Sequence, residues 1–437
     1  MPLPINPDPG FVVQDLPPVS ASIVRSIPRS LSLKRSWIPQ SHNWSAMSAA
    51  QYTVSSQWGL ECGYDLVRLV YSNNSAAPYT ITLVKVSPSS AVGDGHSPVN
   101  AAGANDFTMF LPVYFNNAGL DVSPQAQTTW GSGATTFTVP ANGGSLNQPT
   151  RWYSDWVRVI SLDRTDGGAN PLLMVRTLTD ALGTFRTSSQ TTVLWPALAN
   201  GRSLAANFKN GIDSVTIPAL LVTPTLANTL TPDGVEYMAR APGFTVMGAG
   251  DSLTQGLGST TTVHGWPYLS SMALSTPGRP ISYWCQAVAG SNSNDYWANT
   301  YVGFRTCLPD VITIPVWTPN DALTQAGADT AWSRAMDLAG YAMRSGAVPV
   351  LMGPLPWLGV TTGAQELARL SARTRMLQAG ANGLYVLDWE NLVGTGASPN
   401  RIQPALLWTD SQHPNDAGNA LMDSAVFRPV LTNILRA

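Results

Sequence analysis

At Ala239-Arg-Ala-Pro-Gly243 the chain changes its hydrophobic period, and that change limits the fold more than any other feature. Downstream, short apolar runs at 244–247, 281–288, 311–317, 348–352 and 384–388 alternate with helical segments. Runs this short and this apolar suit strands buried on both faces. Between the third and fourth runs, Trp332, Ala335, Met336, Ala339, Ala342 and Met343 fall on one face of a helix. A second helix fits 364–379, and a third follows Pro414. This alternation predicts a parallel sheet with helices on both faces. Such sheets take ligands outside the carboxyl ends of their strands.

Upstream, from about residue 50 to 235, the signals are strand-like. Residues 79–86 alternate, 107–115 form an apolar run, and 135–139, 155–162, 172–178 and 215–222 are further candidates. Asn73-Asn74, Asn142-Gly143-Gly144 and Asp166-Gly167-Gly168 punctuate them as turns. No long 3.6-residue period occurs here. The expected organisation is a Pro-rich extended arm (1–45), an all-β sandwich or jelly roll (46–240) and an α/β domain (241–437).

Composition narrows the function. Charged residues make up 11% of the chain, with only three Lys and four Glu and a net charge of −2. Nucleic-acid binding, which needs clustered Lys and Arg, is therefore not expected. A hydrophobic share of 44% is too rich for a disordered chain. No window approaches the roughly 18 uninterrupted apolar residues of a transmembrane helix. The uncharged polar surface suits an extracellular, cell-surface or virion protein, although the N-terminus lacks the basic and apolar regions of a signal peptide. Cys62, Cys285 and Cys307 are too few for a disulfide scaffold, and none has the CxxC spacing of a zinc site. A Cys285–Cys307 bridge and three buried thiols both fit. No metal or other cofactor is expected.

The strand ends carry the chemistry. The first run ends in Gly248-Ala-Gly-Asp-Ser252, a serine on a tight glycine-supported turn, and the second in Ala289-Gly290-Ser-Asn. The third ends in Thr318-Pro-Asn320-Asp321, and near the C-terminus Asp410-Ser-Gln-His413-Pro414 opens the last helix. A serine nucleophile needs a base to take its proton, and the base needs a carboxylate to fix its tautomer. Of His42, His96, His264 and His413, only His413 lies in the α/β half beside a carboxylate at short spacing. A helix-capping role for His413 fits that spacing equally well.

Gly250-Asp-Ser252-Leu near the start of an α/β region, with Asp410-x-x-His413-Pro near its end, resembles the GDSL or SGNH hydrolase family. The resemblance implies a flavodoxin-like three-layer α/β fold over 241–437 and a serine esterase mechanism. It implies Ser252 as nucleophile, with Asp410 and His413 completing a triad. Ser252 and Gly290 would supply backbone donors, and Asn320 a side-chain donor, to an oxyanion hole. Thr318 departs from the family pattern, which has glycine there. The β region is outside the resemblance, although proteins joining a β sandwich to this hydrolase domain include carbohydrate esterases.

The substrate reading is a short-chain acyl ester, O-acetyl on a carbohydrate in the first instance. No amphipathic lid helix separates the blocks. Trp266, Trp297, Trp317, Trp357, Trp389 and Trp408 lie near predicted strand ends or the blocks, and about two of them are expected to line the site. The alternatives are a lipase or lysophospholipase-type esterase, and a non-catalytic glycan-binding or virion structural protein. A paired-carboxylate glycosidase finds no evident pair among Glu61, Glu236, Glu366 and Glu390, and no HExxH motif suggests a metal hydrolase.

Overall fold

The computed structural model describes residues 33–37, 43–46, 52–73, 78–93, 97–141, 151–168, 170–179, 184–187, 204–210, 232, 234–259, 265–307, 309–357, 359–360, 362–397, 400–410 and 412–436. The expected strand at 215–222, the Asn142 turn, His42, His96 and His264 lie outside them, as does most of the segment 1–45.

The C-terminal part is an α/β unit built on five parallel strands: β14 (Phe244–Gly248), β15 (Ile281–Cys285), β16 (Val311–Pro315), β17 (Val348–Met352) and β18 (Tyr385–Leu387). Their order is β15-β14-β16-β17-β18 and every pairing is parallel. The helices are α1 (Ser252–Gln255), α2 (Trp266–Leu274), α3 (Ser293–Cys307), α4 (Gln325–Arg344), α5 (Gly363–Ala381), α6 (Glu390–Val393), α7 (Asp416–Met422) and α8 (Arg428–Arg436). In α4, Thr324 caps the N-terminus by accepting from Gly327 N, and the buried face carries Trp332, Ala335, Ala339 and Ala342. Four of the six residues read as one helical face are thus fully buried, while Met336 and Met343 pack partly exposed against the core.

All five apolar runs became strands, and 348–352 did so residue for residue. The second and third strands stop short of their apolar runs, although Gln286 N and Val288 N still donate to Gly248 O and Gly250 O, and Val316 N to Met352 O. The order of strands reverses between β14 and its two neighbours β15 and β16, the kind of switch point at which open α/β sheets bind ligands beyond the carboxyl ends of their strands.

The N-terminal part contains antiparallel sheets. One orders β1 (Leu33–Trp37), β13 (Gly234–Ala239), β4 (Tyr64–Ser72) and β8 (Arg151–Tyr153), with β9 (Val157–Arg158) also on β4. Another orders β12 (Leu204–Asn210), β3 (Tyr52–Gly59), β10 (Leu172–Thr179), β5 (Tyr79–Ser89) and β6 (Leu111–Pro112), with β7 (Phe137–Val139) on β5. A separate pair joins β2 (Asn43–Ala46) to β11 (Thr184–Thr187). Val67, Leu69, Val235 and Tyr237 from the first sheet and Val84, Val86, Leu173 and Val175 from the second form one buried cluster. That cluster ends at Ala239, and a second, separate core begins at Val246. Of the segment read as an arm, 33–37 is a strand antiparallel to β13.

The 107–115 run is a correction. Asp106 caps a single 3-10 turn over Phe107–Met109, and only Leu111–Pro112 is strand. Cys62 and Cys285 are buried, and the Cys307 side chain of the bridged alternative lies outside the described residues. Among the described residues, no helix is long and apolar enough to cross a membrane.

Candidate active site

The first strand end is shaped by glycine. Gly250 sits at φ +136°, and a Cβ there would meet Thr254 Oγ1 at 2.5 Å. This turn lets Asp251 cap α1 by accepting from Leu253 N at 3.0 Å, with Ser252 as the first helical residue. The backbone N–H of such a residue has no partner within its own helix. Ser252 is buried but reachable at 8% exposure.

The C-terminal block is built by one aspartate. Asp410 Oδ1 accepts from Gln412 N at 2.9 Å and His413 N at 3.1 Å, folding the backbone back on its own carboxylate. That fold brings His413 Nδ1 to 2.6 Å from Asp410 Oδ2. Burial works against the ionised Asp410, but these donors outweigh it and hold the carboxyl below its usual range. The other imidazole nitrogen, His413 Nε2, lies 2.8 Å from Ser252 Oγ. Serine, imidazole and carboxylate thus form one continuous hydrogen-bonded chain across 161 residues of sequence.

Two further contacts hold the backbone at His413. Trp408 N donates to His413 O at 2.8 Å, and Leu407 bridges Pro414. Gly258, at φ +94°, lies against His413, where a Cβ would collide with the histidine Cβ and approach Pro414 O to 2.8 Å. Nothing in the sequence marked Gly258, because its neighbour is distant in the chain.

Gly290 is left-handed at φ +79° with no atom within 4 Å of a would-be Cβ, so the space beside its backbone is open. Asn320 is differently engaged. Its Nδ2 donates to Asp251 Oδ2 at 3.0 Å and to Ser291 O at 3.1 Å, which uses both amide hydrogens. Asp251 is buried, and burial pushes its carboxyl up to about 7, with the nearby Asp321 adding to the rise. Asp321 in turn accepts from Thr318 N at 2.9 Å and Ser293 N at 2.8 Å, tying the second and third strand ends together. Thr318 needs no glycine conformation, since Ala118 is the one non-glycine residue with positive φ among the described residues. Asp251 and Asp321 were visible in the motifs, but their structural work was not.

The tryptophans divide. Trp266 is a correction: it is fully buried, with its ring centroid 5.3 Å from Trp389 and 5.0 Å from Phe427, and cannot touch a ligand. Trp317 is a second correction, at 2% exposure in the same core. Trp297 is held to α4 by its Nε1 donating to Asp337 at 2.7 Å. Trp357 and Trp408 are partly exposed, and Trp408 alone of the six bonds directly to the His413 backbone.

No protein-family model matches the chain, and neither does any curated protein. Solved structures do match. A GDSL-like lipase from Bacteroides thetaiotaomicron is 16% identical, with a TM-score of 0.34 over 44% of this chain and 88% of its own. A psychrotrophic esterase from Pseudoalteromonas is 17% identical, with a TM-score of 0.33 over 44% of this chain and 96% of its own. Over that share of its length the chain is similar to GDSL/SGNH hydrolase structures. A two-domain esterase active on acetylated mannans is 21% identical, with a TM-score of 0.33 over 44% of this chain and 48% of its own.

Proposed function

We propose that this protein is a serine esterase that removes short acyl groups, acetyl above all, from a carbohydrate. The observation that carries the reading is the hydrogen-bonded chain from Ser252 Oγ through His413 to Asp410. In the proposed reaction Ser252 Oγ bonds to the ester carbonyl carbon while its proton passes to His413 Nε2. The carbonyl oxygen becomes an oxyanion, which the backbone N–H groups of Ser252 and Gly290 receive. Asn320 joins as third donor by exchanging its bond to Ser291 O for one to the oxyanion. Collapse expels the alcohol, which takes the proton from His413. Water then repeats the sequence on the acyl-enzyme and frees the acid. Asp410 stays ionised and keeps the imidazolium oriented throughout.

The short-acyl preference is supported by the partly exposed Trp408, whose N donates to His413 O, and we propose that its ring narrows the approach to the serine. We further propose that 241–437 is the catalytic domain. The antiparallel sheets within 46–240, joined by strand 33–37, form an accessory β sandwich, as the two separate cores support.

A series of p-nitrophenyl esters from acetate to palmitate tests the reading. Activity is expected to peak at acetate or butyrate and to fall at least about tenfold by octanoate, because each methylene excluded from the pocket forfeits about 0.8 kcal/mol. A maximum on long chains would make the protein a lipase. No hydrolysis of any ester would end the enzyme reading.

A further inference from the structure

The first antiparallel sheet carries a feature that the chemistry at Ser252 does not use. An open cleft of about 430 Å³ is lined by Asp65, Leu66, Pro124, Gln125, Trp130, Arg158 and Ile160. Its size is that of a small-molecule site. None of these residues belongs to the serine site.

The cleft is built around a fixed aromatic ring. Trp130 Nε1 donates to Gln127 O at 3.1 Å. The buried Gln127 side chain donates to Trp156 O at 3.0 Å and accepts from Trp156 N at 2.7 Å. The loop bearing Trp130 is thereby stapled to the strand that bears Arg158. The Arg158 guanidinium lies 4.8 Å from the Trp130 ring centroid, a cation–π contact that orients both groups. Asp65 Oδ1 is held by Arg240 Nε at 2.8 Å, which fixes the carboxylate and offsets its charge. Ile160 is 64% exposed beside them, an unusual position for an isoleucine that nothing covers.

We propose that this cleft binds one sugar ring of a glycan chain. A pyranose has an apolar face of C–H groups and an equatorial rim of hydroxyls. The apolar face matches Trp130, Ile160 and Pro124, while the rim matches the forked donors of Arg158, the Asp65 carboxylate and the Gln125 amide. An inorganic anion fits poorly, because Asp65 lies in the wall. A fatty chain fits less well, because Asp65 and Arg158 stand in the wall among the apolar side chains. Prior immobilisation of the indole and the guanidinium lowers the ordering cost of binding. The site deepens the carbohydrate-esterase reading above by holding the polymer while Ser252 acts, and its binding step is independent of catalysis.

The test uses the full chain carrying Ser252→Ala, labelled and applied to an array of neutral and uronate-bearing oligosaccharides, with hits remeasured by calorimetry. At least one glycan class is expected to bind. Trp130→Ala is expected to weaken that binding at least about tenfold, Arg158→Ala to weaken it less, and Trp130→Phe to retain most of it. With Ser252 intact, Trp130→Ala leaves kcat/KM on p-nitrophenyl acetate within about twofold of the parent. An unchanged melting temperature in Trp130→Phe guards against misfolding as the cause. Absence of any glycan binding overturns the proposal, as does binding that survives both Trp130→Ala and Arg158→Ala. Binding lost instead on Trp408→Ala places the glycan at the serine site and overturns it too. Failure of the parent to hydrolyse any ester counts against the esterase reading alone, since array binding is read without catalysis.

Discussion

The parallel and antiparallel sheets of this chain bury themselves in different ways. Strands β15, β16 and β17 are buried at every residue, leaving no wet face. Strand β5 alternates unevenly between buried and half-buried positions, as a sheet with one covered face does. A parallel sheet with both faces covered has only its strand ends for polar chemistry, and Ser252, Gly290 and Asn320 all sit there. Antiparallel sheets expose loops and a wet face, where Trp130 and Arg158 are placed. The proposed ester chemistry, which needs a dry, preorganised site, and the proposed binding, which needs an open one, therefore fall in different halves.

The largest expected effect tests that division directly. Ser252→Ala and His413→Ala should each lower kcat by about 10³-fold or more while leaving glycan binding intact. A fluorophosphonate probe should label Ser252 and no other residue, and labelling elsewhere would break the assignment. Asp410, held below the usual carboxylate range, stays ionised in mildly acidic medium and keeps its hydrogen bond to the imidazole.

Next in size is a stability effect that the two halves should share. Arg369, with no exposed surface, pairs bidentately with both Glu366 and Glu390, whose neighbour Asn400 donates to Glu390 at 2.8 Å. Arg68 is the counterpart in the β half, donating to Glu236 at 2.7 Å and Asp121 at 2.5 Å. Arg369→Met and Arg68→Met should each cost about 3–5 kcal/mol in denaturant titrations, because each strands a buried carboxylate. A cost below about 1 kcal/mol in one half alone would show that its carboxylates relax to water.

Asn320→Ala should lower kcat by about 10²-fold, with KM little changed, if its amide reaches the oxyanion. A rise in KM alone would assign Asn320 to holding Asp251 and Ser291 in place. The smallest effect concerns Asp251 itself. Its folded carboxyl is raised to about 7, so folding retains a proton that the unfolded chain releases above the ordinary carboxylate range. Stability from this group is full at acid pH and is lost as pH rises toward 7. Asp251→Asn, which keeps the cap, should gain stability relative to the parent between about pH 4 and 7. Parallel unfolding curves at both pH values, with no relative gain, would refute the raised carboxyl.

How far the sequence carried the reading differed between the halves. The parallel strands were legible because each is one continuous apolar run, and a buried strand needs nothing else. Strand β4 was missed, and its sequence YDLVRLVYS shows why: Arg68 interrupts the apolar pattern at its centre. Its balance lies on the neighbouring strand, where Glu236 stands in register with Arg68. Neither charge reads as core by itself, and the pair does so only once the strands are side by side. Residues 107–115 failed in the opposite sense, since an apolar run was taken for a strand where Asp106 caps a turn and Pro112 removes a ladder donor.

What the sequence alone determined is what short-range chemistry can build. The glycine turn presenting Ser252 and the Asp410 turn holding its own histidine at i+3 each close within a few residues, so their geometry follows from spacing. The tertiary structure decided which of these local pieces meet. Only the packed sheet brings His413 to Ser252, wedges Gly258 against the histidine, and spends both Asn320 hydrogens on Asp251 and Ser291. It also sorted the tryptophans, sending Trp266 and Trp317 into the core and leaving Trp408 beside the site. A side chain's burial depends on everything packed around it, and no local pattern carries that information.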